Sequence, residues 1–169
     1  IINLKNDDSF DVITMINEGN NFCFYVSFYR LGQNYGSTPY FIYTEDIQEK
    51  SKILSDFIGH FYLSNNPPPL ILINQEAAEE KLLEQFLGVI AKSPVLVLMP
   101  KRGEKLRLVE GLEKLAEQAL KRKFVENFTN QQFLLEIKQL FNLDKIPQKI
   151  EVYDNSHISG TNAVGAMIT

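Results

Sequence analysis

Two short, wholly apolar runs, Leu70 to Ile73 and Val95 to Met99, constrain the fold of this chain more than any other feature. A strand buried on both faces has no polar side to alternate with, so such runs read as central strands covered by helices above and below. Helical periodicity surrounds them. Ile47, Ile53, Leu54, Phe57, Ile58 and Phe61 recur at helical spacing before the first run, and Leu82, Leu83, Phe86, Leu87 and Ile90 lie between the two. Leu108, Val109, Leu112, Leu115, Ala116, Ala119 and Leu120 follow the second. Strands alternating with helices pair in parallel, because each helix crosses over the sheet to start the next strand.

Upstream the pattern is different. Val12 to Ile16 and Phe22 to Tyr29 flank the turn-rich string Asn17-Glu18-Gly19-Asn20-Asn21, and Leu31-Gly32-Gln33-Asn34 marks a second reversal before Tyr40 to Tyr43. These three segments read as an antiparallel meander. Asp46 and Glu49 form a capping pair at the start of the first helix. Asn65-Asn66-Pro67-Pro68-Pro69 stops that helix, since proline lacks the N–H that a helix needs and holds its predecessor extended. The class is therefore α/β, with three antiparallel strands followed by alternating helices and parallel strands. A separate linking helix carries Phe133, Leu134, Ile137, Leu140 and Phe141 on one face and ends before Pro147. The expected organisation is a domain over 1–123, the linking helix over 124–148, and a terminal hairpin over 149–169.

The 169 residues suffice for one domain and a remnant of a second. No run of 18 apolar residues and no basic-then-apolar leader occurs, which points to a soluble cytoplasmic protein with no membrane partner. Cys23, the single cysteine, sits in an apolar stretch and reads as a core thiol in a reducing compartment. No Cys/His cluster suggests zinc. The chain has no initiator Met and stops at Thr169, and we read it as a fragment. Its net charge of −4 is uneven: eight Lys/Arg against four Asp/Glu between Lys101 and Lys123 give that segment +4 and leave −8 elsewhere.

The hairpin, KIEVYDNSHISGTNAVGAM from Lys149 to Met167, begins with the strand formers Ile150, Val152 and Tyr153 and runs into Asp154. Asn155, Ser156, His157, Ser159, Gly160, Thr161 and Asn162 read as the polar turn, and Ala163 to Ile168 as the returning strand. A carboxylate at the end of an apolar strand costs several kcal/mol to bury unless a cation or strong donors meet it. A hard divalent metal is one solution, and a turn-capping role is the other.

Tyr153, Asp154, Ser156, His157, Gly160, Thr161, Val164 and Gly165 resemble the start of the C-terminal endonuclease domain of the UvrC family, the nuclease component of the bacterial excinuclease ABC. There a strand ending in Tyr/Phe-Asp-x-Ser-His precedes a Gly-Thr-x-x-Val-Gly turn. Gly36 to Phe41, Phe61-Tyr62-Leu63 and Pro100-Lys101-Arg102-Gly103-Glu104-Lys105 resemble the part of that family between the UvrB-binding segment and the nuclease. The element order resembles the ribonuclease H-like fold. The resemblance implies a nucleotide-excision-repair nuclease that, with the UvrB helicase, incises damaged DNA on both sides of a lesion. Contact with UvrB would use regions outside this chain. It also implies that Asp154 is a catalytic residue and the first carboxylate ligand for Mg²⁺ or Mn²⁺ at the 5′-incision site, with the other ligands beyond residue 169. His157 either supports that site or fixes the turn.

Ribonuclease H-like nucleases place carboxylates near the middle of the first strand and at the end of the fourth, where two metal ions clamp the scissile phosphate. Here the first strand offers only Asp11, at its beginning, and the fourth ends on Asn74 and Gln75. Neutral amides do not hold two divalent ions, so the first domain reads as an inactive copy. The rival set is Asp11, Asp56 and Glu76. Lys101, Arg102 and Lys105 follow a parallel strand and open a helix, the end of an α/β sheet where ligands bind. They read as a phosphate-contacting loop for DNA or, alternatively, as a solvated loop with Glu104 pairing locally. Tyr29, Tyr35 and Tyr40 lie near turns and could stack on unpaired bases. Adjacent residues of an extended chain face opposite ways, which rules out a Ser156–His157 nucleophilic couple. His60 reads as a surface or interface histidine. Two other classes stay open: a non-catalytic protein-docking scaffold, and an independent nuclease using Asp11 and Asp154 together.

Overall fold

The computed structural model describes residues 9–45, 49–158 and 161–168, with side chains described up to residue 151. Ten elements follow one another: β1 (Phe10–Glu18), β2 (Asn21–Arg30), β3 (Gln33–Tyr43), α1 (Lys50–Leu63), β4 (Leu70–Ile73), α2 (Glu80–Ala91), β5 (Leu96–Leu98), α3 (Gly103–Leu140), β6 (Val152–Ile158) and β7 (Thr161–Ile168). The chain divides into two compact units, 1–123 and 124–169.

In the first unit five strands form one sheet in the order β3-β2-β1-β4-β5. β1, β2 and β3 are antiparallel, whereas β4 pairs in parallel with both β1 and β5. Leu70 to Ile73 forms the central strand β4, as its composition demands, whereas Val95 to Met99 supplies β5, which stands at the edge of the sheet with Leu96 40% exposed. Ile71 and Ile73 join Ile13, Met15, Phe24 and Val26 in a core with Leu54, Ile58 and Tyr62 of α1 and Leu83 and Leu87 of α2. On the opposite face Phe10, Val12 and Leu72 meet Val109 and Leu112 of α3. Alternation along β1 decides this partition: Ile13 and Met15 go to the α1–α2 layer, Phe10 and Val12 to the α3 layer. Cys23 is fully buried, and burial pushes its thiol up to about 11.

Three elements differ from the sequence expectation. β3 begins at Gln33 rather than Tyr40, because Leu31 and Gly32 both take positive φ (51° and 70°) and return the chain in two residues. Its polar first half pairs as a solvent-exposed edge, where no hydrophobic alternation is needed. The two helices expected over 108–120 and 133–141 are one helix, α3, of 38 residues. Lys121 to Gln132 contains neither Gly nor Pro, so nothing interrupts the backbone ladder there. The third difference is in the hairpin. β6 continues through Asp154 to Ile158, so Asp154, Ser156 and His157 lie within a strand rather than at its end and in a turn.

α1 starts at Lys50 with Glu49 as its N-cap, without a side-chain cap hydrogen bond. The expected capping partner, Asp46, lies outside the described residues, as does Ile47. The helix ends as expected before the prolines. Asn65 Nδ2 donates to the Phe61 carbonyl at 2.7 Å and satisfies one of the last-turn acceptors.

Candidate functional site

Asp11 is the second residue of β1 and is 1% exposed. It shares the parity of Ile13 and Met15 and so belongs to the α1 layer. The Tyr62 hydroxyl of α1 donates to its Oδ2 at 2.6 Å, and Arg30, the last residue of β2, donates to Oδ1 at 2.6 Å. The same guanidinium nitrogen also reaches the carbonyls of Phe10 (3.2 Å) and Tyr29 (2.7 Å). Burial raises the Asp11 pKa above its ordinary value, outweighing Arg30 and Tyr62, which both lower it. The Tyr62 hydroxyl is raised well above its usual range by burial and by the neighbouring carboxylate. Asp11 is therefore a carboxylate whose oxygens are already occupied by an internal cation and a phenol.

Next to it, β4 ends on Asn74. The parallel ladder stops at the Ile13–Ile73 pair, which would leave the Met15 backbone groups without partners on that side. Asn74 supplies them: its Oδ1 accepts from Met15 N at 2.9 Å and its Nδ2 donates to Met15 O at 3.1 Å. Asn74 Nδ2 also donates to Glu113 Oε1 of α3 at 2.9 Å, and Gln75 Nε2 donates to Met15 O at 2.8 Å. Both amides thus extend the β1–β4 ladder by side chain. The strand position that faces them is Met15, an apolar residue 1% exposed. This chemistry does not suit a pair of divalent ions, because the amides are neutral and committed to the backbone. The rival set fares no better. Asp56 and Glu76 are exposed, and no group of three His, Cys, Asp or Glu that could hold a metal occurs among the described residues.

The basic loop lies between β5 and α3. Lys101 and Arg102 are exposed, but Lys105 is only 7% exposed. Lys105 precedes Val109 by four residues and Leu112 by seven, so it lies on the core-facing stripe of α3. Its place among three solvent-facing phosphate contacts is corrected accordingly: two cations face solvent there, not three. The spacing carried that signal, but the charge run masked it.

On the hairpin, Asp154 pairs with Ala166 of β7 and Ser156 with Val164. The register shifts between Ser156 and Ile158, which places His157 at a bulge. The side chains of Asp154 and His157 lie outside the described set. His60 is exposed, with Nδ1 3.1 Å from the Asp56 carbonyl. It lines a groove of about 430 Å³ together with Gly59, Leu63, Leu82 and Phe86. No described helix is long and apolar enough to cross a membrane. Sequence reasoning missed Arg30 and Tyr62, whose link to Asp11 spans 19 and 51 residues and leaves no local pattern.

Residues 9–123 match the UvrC Ribonuclease H-like domain, and residues 138–169 match the UvrC RNAse H endonuclease domain. Among similar proteins, the UvrABC system protein C of Rhodopseudomonas palustris is 42% identical over 99% of this chain and 24% of its own length. That of Maricaulis maris is 39% identical over 99% of this chain and 26% of its own length. The Caulobacter vibrioides protein is 39% identical, over 99% of this chain and 28% of its own. The chain thus spans about a quarter of the length of these relatives. With a ribonuclease H-like sheet in its first unit and the two domain matches following the division into two units, this chain belongs to the UvrC family.

Proposed function

We propose that this segment serves a nucleotide-excision-repair endonuclease in two ways: residues 1–123 form a non-catalytic scaffold that touches DNA, and the strand β6 contributes the first metal-binding carboxylate of the 5′-incision site, Asp154. The supporting observation is that Asp154 falls inside the match to the endonuclease domain, on a central position of β6. Asp154 would hold Mg²⁺ or Mn²⁺ together with carboxylates from the rest of the endonuclease domain, and such a metal stabilises charge on the scissile phosphate. The chain's own part is to present one carboxylate from a strand rather than from a loop. The family's partners, damaged DNA and UvrB, come to this chain on the same reading.

Two features argue that residues 1–123 do not cut. Asp11 is neutralised internally by Arg30, and Asn74 and Gln75 are tied to Met15. The exposed pair Lys101 and Arg102 is suited to phosphate, which guanidinium and ammonium groups bind by charge-assisted hydrogen bonds. Such contacts would position the backbone without reading sequence.

The test uses a full-length UvrC carrying this sequence. Asp154→Asn is expected to abolish the 5′ incision, preserve the 3′ incision and leave the melting curve unchanged. Retained 5′ incision would end the assignment, since a capping Asp is replaced by Asn at little cost. Lys101→Ala with Arg102→Ala should weaken binding to all DNA sequences and flatten the log–log salt slope by about two units.

A further inference from the structure

β3 is one of the two edge strands of the sheet. Tyr40 packs against Phe57 and Phe61 of α1. By the two-residue alternation of a strand, Phe41 and Tyr43 therefore face the other side, the layer of α3. Pairing places Phe41 opposite Cys23 and Pro39 opposite Tyr25, which belongs to the α3-side cluster. That cluster joins Val109 and Leu112 of α3 to β1 and β4 and extends to Tyr25 and Tyr29 of β2. On this face β2 is covered, with Cys23 0% and Ser27 1% exposed and Tyr25 half-buried, whereas the end of β3 presents its rings to solvent, Phe41 at 39% and Tyr43 at 61%.

α3 reaches the exposed end of β3 through Lys123. Lys123 Nζ stands 5.7 Å from the centroid of the Phe41 ring, a cation over an aromatic face. Lys121 and Arg122, exposed, are its neighbours on the helix. Exposed aromatic rings at a sheet edge beside clustered cations are the combination that binds unpaired nucleotides: rings stack on bases of any sequence while cations meet the phosphates. A duplex keeps its bases stacked internally and gains only the charge. The acidic remainder of the chain, −8 outside the Lys101–Lys123 segment, confines such contacts to this region.

From this juxtaposition we infer that Phe41 and Tyr43, with Lys123, form a stacking surface for single-stranded DNA. It lies apart from the Lys101–Arg102 loop and from β6 in the sequence, and it holds or fails independently of both. The surface gives the non-catalytic unit a task that duplex contacts at the loop do not cover, the capture of strands whose bases are unpaired.

The experiment titrates the 169-residue chain with a fluorescein-labelled short oligothymidylate and, separately, with a labelled duplex, reading anisotropy. Phe41→Leu and Tyr43→Leu should each lower oligothymidylate affinity about 5-fold or more and leave duplex affinity unchanged. Phe41→Tyr and Tyr43→Phe, which keep the ring, should retain it. Because the chain has no Trp, its Tyr emission is observable directly, and oligothymidylate should quench it in the wild type but less in Tyr43→Leu. Lys101→Ala with Arg102→Ala should leave the ratio between Phe41→Leu and wild type intact, so failure of the loop reading and failure of this one separate. Equal oligothymidylate affinity in wild type and the two Leu variants, or no binding by the wild type, would overturn the inference; the face would then serve a protein partner or none.

Discussion

The Tyr62 hydroxyl donates to Asp11 Oδ2 at 2.6 Å and joins the last turn of α1 to the start of β1. Both groups are buried, and Arg30 closes the other carboxylate oxygen. Tyr62→Phe keeps the packed ring and removes only the donor. We expect a loss of about 1–3 kcal/mol in chemical denaturation, since a buried acceptor then lacks its partner. A double-mutant cycle with Asp11→Asn should show coupling between the two sites. Additive losses would mean that the phenol and the carboxylate do not act on each other.

The same carboxylate gives a pH dependence opposite to that of most acids. Its folded-state pKa is raised above the ordinary value of 3.8 by burial. Below 3.8 both folded and unfolded forms carry the proton, and the full contribution is present. As pH rises through the window above 3.8, the unfolded chain releases its proton first, so the folded state holds more protons and its stability falls. The stability gap between wild type and Asp11→Asn should therefore shift against the wild type over that window and then level off. Denaturation midpoints of the two proteins at a series of pH values measure it; a gap that moves the other way would show that Arg30 outweighs burial.

Asn74→Asp probes whether the end of β4 is a ladder extension or a dormant metal position. An aspartate there would set a carboxylate against the Met15 carbonyl and the Glu113 carboxylate, where Asn74 Nδ2 now donates. The expected cost is about 2 kcal/mol, reduced when Glu113→Gln is added. Mg²⁺ should not restore the melting temperature, because Asp11 is engaged by Arg30. Recovery of stability with Mg²⁺ would mean that a metal site can be rebuilt there by one substitution.

Local patterns settled much of this protein. The apolar runs Leu70 to Ile73 and Val95 to Met99, the helical stripes, and the prolines after Leu63 determined the order of the strands along the chain and the parallel half of the sheet, because apolar strand runs and the missing proline N–H act over a few residues, although the second run sits at the sheet edge rather than buried on both faces. The spacing of Lys105, Val109 and Leu112 also held the burial of Lys105, had the helical period been weighed above the charge run. Other features belong to the tertiary structure alone. The engagement of Asp11 by Arg30 and Tyr62, the use of Asn74 to continue the ladder at Met15, and the placing of Lys123 over the Phe41 ring join residues 19 to 82 positions apart. Such contacts depend on which strand lies beside which and on which side of the sheet each helix packs, and the energies that choose them are summed over the whole core rather than written in any one segment.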